Sequence, residues 1–79
     1  MMRVAAPDEL SAVLLRDRLR PERCELHGDA DGSWYVEYGR PATPAHAAVL
    51  TDAVRRWLVE ERIERTIIWI NDDPLAITV

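Results

Sequence analysis

The chain has 79 residues, a formal net charge of −4, and 48% hydrophobic against 30% charged residues. This composition excludes wholesale disorder, and a domain of this size buries only about 60% of its unfolded surface, which leaves little room for a deep cleft. The acidic balance weighs against a generic polyphosphate or nucleic-acid binder, and the single cysteine, Cys24, excludes an internal disulfide. No apolar run exceeds about four residues, too few to cross a bilayer. The expectation is one cytoplasmic α+β domain over residues 1–79. All ten basic residues are arginine, which fits a GC-rich bacterial genome and suits planar carboxylate pairing.

Met2 to Ala5 is read as a short first strand. Pro7, Asp8 and Glu9 then place a fixed φ and two carboxylates at a helix N-terminus, where the dipole favours them. Arg16, Arg18 and Arg20 follow near its end, and Pro21 stops it, so a helix is predicted over 7–20. Its apolar residues form two sides rather than one stripe: Leu10, Val13 and Leu14 on one, Ala12, Leu15 and Leu19 on the other. One side is expected to meet the core and the other a partner.

Two period-2 runs come next. In 23–28, Cys24 and Leu26 alternate with Arg23, Glu25 and His27. In 33–38, Trp34, Val36 and Tyr38 alternate with Tyr35 and Glu37. The turn formers Gly28, Asp29, Asp31 and Gly32 between them predict a β-hairpin. The segment 39–44 carries two prolines and cannot continue a central strand.

The clearest pattern is a second helix over 44–63. Thr43 suits the N-cap and Pro44 the first helical position. Ala47, Leu50, Ala53, Val54, Trp57 and Leu58 form one apolar face, and Asp52 and Arg56 pair at i, i+4 on the wet face. Thr66 to Asn71 is β-branched and aromatic, hence a strand. Asn71 to Pro74 reads as a turn and Leu75 to Val79 as a last strand pairing back.

The resulting order is β-α-β-β-α-β plus a C-terminal strand. It resembles the ferredoxin-like sandwich, which implies two layers with an antiparallel sheet and both helices on one face. Without the first strand the order is α-β-β-α-β-β, still two-layered. That resemblance is to a fold hosting many functions, so it implies no particular one.

Few residues carry chemistry. Cys24 and His27 are three apart on a strand and face opposite sides, so they make no nucleophilic pair. Cys24 reads as a small buried hydrophobe and His46 as a partly buried or capping residue. Cys24, His27 and His46 lack the paired ligand spacing of zinc sites. Asp29 to Ser33 alternates oxygens like a calcium loop, but the glycine and glutamate such a loop needs are Trp34 and Arg40 here, and a hairpin turn accounts for the same residues. Neither catalytic residues, metal nor cofactor is expected. Arg16, Arg18, Arg20, Arg23 and Arg40 with Trp34 and Tyr35 are the set a nucleic-acid platform would use, yet Asp17, Glu22 and Glu25 lie among them.

The informative feature is excess apolar sheet. Ile67 and Trp69 point one way and Ile68 and Ile70 the other, so one apolar face is left over in a sheet covered on one side. The candidate interface is Trp34, Tyr35, Ile67, Ile68, Trp69 and Ile70, with an intramolecular cover by residues 39–44 or the terminal segment as the bland alternative. The expected function is a non-enzymatic protein–protein interaction module, homodimeric or bound to another protein, with a regulatory role by analogy. The alternatives are a small-ligand sensor with a dimer-interface pocket lined by Arg40, Trp34 and Trp69, and nucleic-acid binding through the sheet.

Overall fold

The structure, a computed structural model, describes residues 2–19, 23–39 and 43–79. The elements follow the order β1 (Met2–Ala6), α1 (Glu9–Arg18), β2 (Cys24–Gly28), β3 (Trp34–Tyr38), α2 (Pro44–Glu61), β4 (Arg65–Ile70) and β5 (Asp73–Thr78). The five strands form one antiparallel sheet in the order β2-β3-β1-β4-β5. The chain is thus α+β with two helices, and the first strand forms at its centre.

Local chemistry sets each boundary. Asp8 caps α1: its side chain accepts from the Ser11 amide at 2.8 Å, so the helix starts at Glu9 rather than at Pro7. Thr43 caps α2 in the same way, accepting from the His46 amide at 3.2 Å, with Pro44 opening the first turn. At its far end α2 closes on Arg62, whose φ of 55° is left-handed, while the Ile63 amide donates to the Leu58 carbonyl at 2.9 Å. This is a Schellman closure with arginine where glycine is usual. It ends α2 at Glu61, short of the expected 63.

The two hairpins turn differently. Between β2 and β3 the Gly32 amide donates to Asp29 O at 3.1 Å, the Ser33 amide to Asp31 Oδ1 at 2.9 Å, and Gly32 takes a φ of 90°. Between β4 and β5, Ile70 pairs directly with Asp73, and Asn71 and Asp72 carry φ of 51° and 73°. Two consecutive positive φ values make a two-residue turn that matches strand twist. The expected four-residue turn over Asn71 to Pro74 therefore shrinks to two, and Asp73 and Pro74 join β5. Pro74 is tolerated there because β5 is an edge strand.

Alternation along the strands divides the sheet into two faces. Met2, Val4, Ala6, Val36, Tyr38, Ile68 and Ile77 are buried in one cluster with Ala12, Leu15 and Leu19 of the α1 segment and Leu50, Val54, Trp57 and Leu58 of α2. Both helices therefore cover the same face. Trp57 ties them together, donating its indole N–H to the Ser11 carbonyl at 2.9 Å inside the core. Arg18 pairs with Glu60 across the helix surface, and Asp52 with Arg56 along α2 at 3.2 Å. Of the two apolar sides of α1, Ala12 and Leu15 are buried, while Leu10 and Leu14 stay exposed. Among the described residues no buried side-chain nitrogen or oxygen lacks a hydrogen-bond partner, and no helix is long and apolar enough to cross a membrane.

Candidate interaction surface

The second face of the sheet has no helix over it. Its side chains are the odd positions of β1 to β4 and the even positions of β5: Glu25 and His27 on β2, Glu37 and Tyr35 on β3, Arg3 and Ala5 on β1, Arg65, Ile67 and Trp69 on β4, and Pro74, Ala76 and Thr78 on β5. The terminal segment does not fold across it. β5 extends the sheet sideways, and the Val79 amide donates to the Glu64 carbonyl at 3.1 Å. The other expected cover, the proline segment 39–44, lies outside the described residues at 40–42.

At the centre of this face the Arg3 guanidinium lies 4.9 Å from the Tyr35 ring centroid and 4.7 Å from that of Trp69. The two rings meet edge to face with centroids 6.0 Å apart. Register builds the cluster: Arg3 stands opposite Trp69 on one neighbour and opposite Glu37 on the other, with Tyr35 on the diagonal. Each arginine–ring contact is worth about 0.5–1 kcal/mol at such an exposed site. Beside it, Ile67 and Trp69 are only half-buried.

The β2–β3 side of the face is acidic. His27 Nε2 lies 3.1 Å from Glu37 Oε2 and 3.4 Å from Glu25 Oε2. Glu25 and Glu37 are themselves cross-strand partners, and like charges in that position repel; the His27 imidazole sits between them. Arg3, by contrast, lies against rings, and among the described residues no carboxylate pairs with it.

The six residues expected at an interface split in two. Tyr35, Ile67 and Trp69 lie on the open face. Trp34, Ile68 and Ile70 do not: Ile68 is 0% exposed, and Trp34 and Ile70 pack against the core. Trp34 lies over Gly28, where a Cβ would meet its ring at 3.0 Å. Of the residues expected to line a dimer-interface ligand pocket, Trp34 and Trp69 sit on opposite faces of the sheet within one chain, and Arg40 is outside the described residues. The arginines of the nucleic-acid set are divided: Arg16 and Arg18 belong to α1, in the layer behind the sheet from Tyr35, Arg23 stands exposed just before β2, and Arg20 and Arg40 are not described. Arg3, Glu37 and His27 were missed as parts of this surface. Their signal was the alternation Met2-Arg3-Val4 and Tyr35-Val36-Glu37, which marks the polar side of each strand.

The remaining candidates have structural roles. Cys24 is half-buried against the core and in no disulfide. His46 packs edge to face on Tyr38, with Nδ1 3.5 Å from the phenol oxygen. The oxygens of Asp29 and Asp31 accept backbone amides of their own turn, which also holds the Asp31 carboxyl below its ordinary value of 3.8. Among the described residues no group of three or more His, Cys, Asp or Glu is arranged to hold a metal ion. No protein-family model, curated protein or solved structure matches this chain.

Proposed function

We propose that this chain is a small non-enzymatic module that acts by protein–protein contact through the open face of its sheet, as a homodimer. The observation that carries this reading is the cluster of half-buried Tyr35 and Trp69 around the exposed Arg3, with Ile67 beside it, on a face that no helix covers among the described residues. Aromatic residues and arginine are the types enriched where interfaces bind most strongly. Full burial of such a side chain is worth roughly 1.5–3 kcal/mol; Trp69 and Ile67 are already half-buried, so covering them gains a part of this, and two-fold pairing of identical patches is the commonest way to do so. The succession of elements, with β1 between β3 and β4, supports reading the frame as a ferredoxin-like sandwich extended by β5.

Sedimentation at micromolar concentration tests the reading. The wild-type chain is expected to sediment above its 9.0 kDa mass, and Trp69→Glu to give a folded monomer. A wild-type chain that sediments as a monomer throughout that range overturns self-association.

A small-ligand sensor is the second reading. Its support is an apolar depression of about 350 Å³ at the end of the open face, lined by Ala5, Pro7, Ile63, Thr66 and Ile67 among others. A thermal-shift screen against metabolites separates the two, since a ligand at 100 times its Kd adds about 2.7 kcal/mol.

A further inference from the structure

The open face carries its charge in two halves. Within the strands, its carboxylates are Glu25 on β2 and Glu37 on β3; its guanidiniums are Arg3 on β1 and Arg65 on β4. The boundary between the halves runs along the sheet between β3 and β1, which are hydrogen-bonded neighbours. A surface divided in this way is self-complementary under one rotation and self-repelling under another.

Two sheets stacked face to face as a symmetric dimer can be related by a two-fold axis lying along the strands or across them. An axis across the strands lays each strand over its own copy. Glu25 and Glu37 of both chains then converge on one side, and Arg3 and Arg65 of both on the other. An axis along the strands, over the β3–β1 boundary, instead lays β3 over the partner's β1 and β2 over its β4. Arg3 of each copy then opposes Glu37 of the other, and the Trp69 ring opposes Glu25 and His27. Like charges brought together at an interface are strongly penalised, and opposite ones set register and orientation.

We infer that the occupant of the open face is a second copy of this chain, related by a two-fold axis along the strands between β1 and β3, with Arg3 of each protomer pairing with Glu37 of the other. This rests on the interaction-module reading and adds to it the partner and the orientation. The guanidinium is prepared for the role: the rings of Tyr35 and Trp69 hold it in place, so less freedom is lost when a carboxylate arrives. The face is modest in size. About this axis β5 has no strand opposite it, so four strands at about 4.8 Å spacing and five residues at about 3.3 Å rise give a projected area of roughly 300 Å², which points to a weak, reversible dimer.

The test is charge exchange. Arg3→Glu and Glu37→Arg each place like charges across the axis twice per dimer, and each variant alone is expected to self-associate more weakly by on the order of tenfold or more. Combining the two in one chain restores both pairs, so R3E/E37R is expected to dimerise at concentrations where either single variant is monomeric. A wild type that dimerises no more tightly than R3E and E37R, or that dimerises while the doubly substituted chain stays monomeric, overturns the orientation and leaves the interaction-module reading standing. A wild type that never dimerises overturns that reading itself. Should either variant fail to fold, the salt dependence of the wild-type dimer decides: facing opposite charges are screened as ionic strength rises, so a dissociation constant indifferent to salt overturns the pairing.

Discussion

The two faces of the sheet are built from the same strands and behave differently. On β4, Ile68 is fully buried while its neighbours Ile67 and Trp69 remain half exposed. On β1, Val4 is fully buried and Arg3 exposed. The core face is apolar but for the buried Thr66 and is closed by two helices. The open face mixes aromatic rings, an arginine and an acidic edge. A side chain's chemistry therefore does not by itself decide its role here: tryptophan serves the core at Trp57 and the surface at Trp69, and only the covering layer distinguishes them.

The sharpest way to break this comparison is to place the same charge on each face. Ile68→Glu buries a carboxylate with no partner and is expected to unfold the chain, since a buried unpaired charge is among the largest single-residue penalties. Trp69→Glu, one residue away, is expected to leave a cooperative thermal transition near that of the wild type and a monomer in sedimentation. A folded Ile68→Glu would reverse the assignment of faces.

Next in size is the helix layer. Trp57→Ala leaves a cavity between α1 and α2 and removes the indole bond to Ser11, and is expected to cost about 3–5 kcal/mol in denaturant unfolding. A variant with a midpoint close to the wild type would mean that α2 does not close the core face.

Two changes off both faces calibrate the rest, and neither should alter self-association. Arg62→Gly relieves a left-handed residue at the end of α2 and is expected to stabilise by about 0.5–1 kcal/mol. The smallest effect belongs to Asp31. Its carboxyl is held below its ordinary value of 3.8 by the Ser33 amide, so its folded form binds protons less readily than its unfolded form. The stability it contributes is therefore complete above pH 3.8 and is lost as pH falls through the lower folded value. Asp31→Asn is expected to flatten that part of the acid limb, read by thermal melts across pH; an unchanged acid limb would remove the turn's role.

Most elements were readable because their causes are local. Thr43-Pro44 announces the start of α2, and the apolar spacing from Leu50 to Leu58 announces the buried face. The alternation from Trp34 to Tyr38 announces a strand. The failures have local causes too. Pro7 invited an early helix start, but Asp8 was better able to take the orphan Ser11 amide. Asp73 and Pro74 looked like turn residues because they are poor strand formers, yet an edge strand tolerates both.

The open face was half legible. Ile67 to Ile70 is apolar at every position, so its period carries no direction. The only pointer within β4 is Arg65, in phase with Ile67 and Trp69. The strand of Trp34 is aromatic on both sides, so its aromatics alone do not mark a face; Glu37, in phase with Tyr35, marks the outer side.

The sequence by itself determined the kind and order of the elements from α1 onward, the Thr43 cap and the two hairpins, because hydrogen bonds and side chains within a few residues of one another decide these. The formation of β1 between β3 and β4, the face that the helices cover and the meeting of Arg3, Tyr35 and Trp69 from three strands were decided only by tertiary structure. Those depend on residues more than thirty positions apart coming into register, and no local pattern encodes which of two apolar faces the helices will choose.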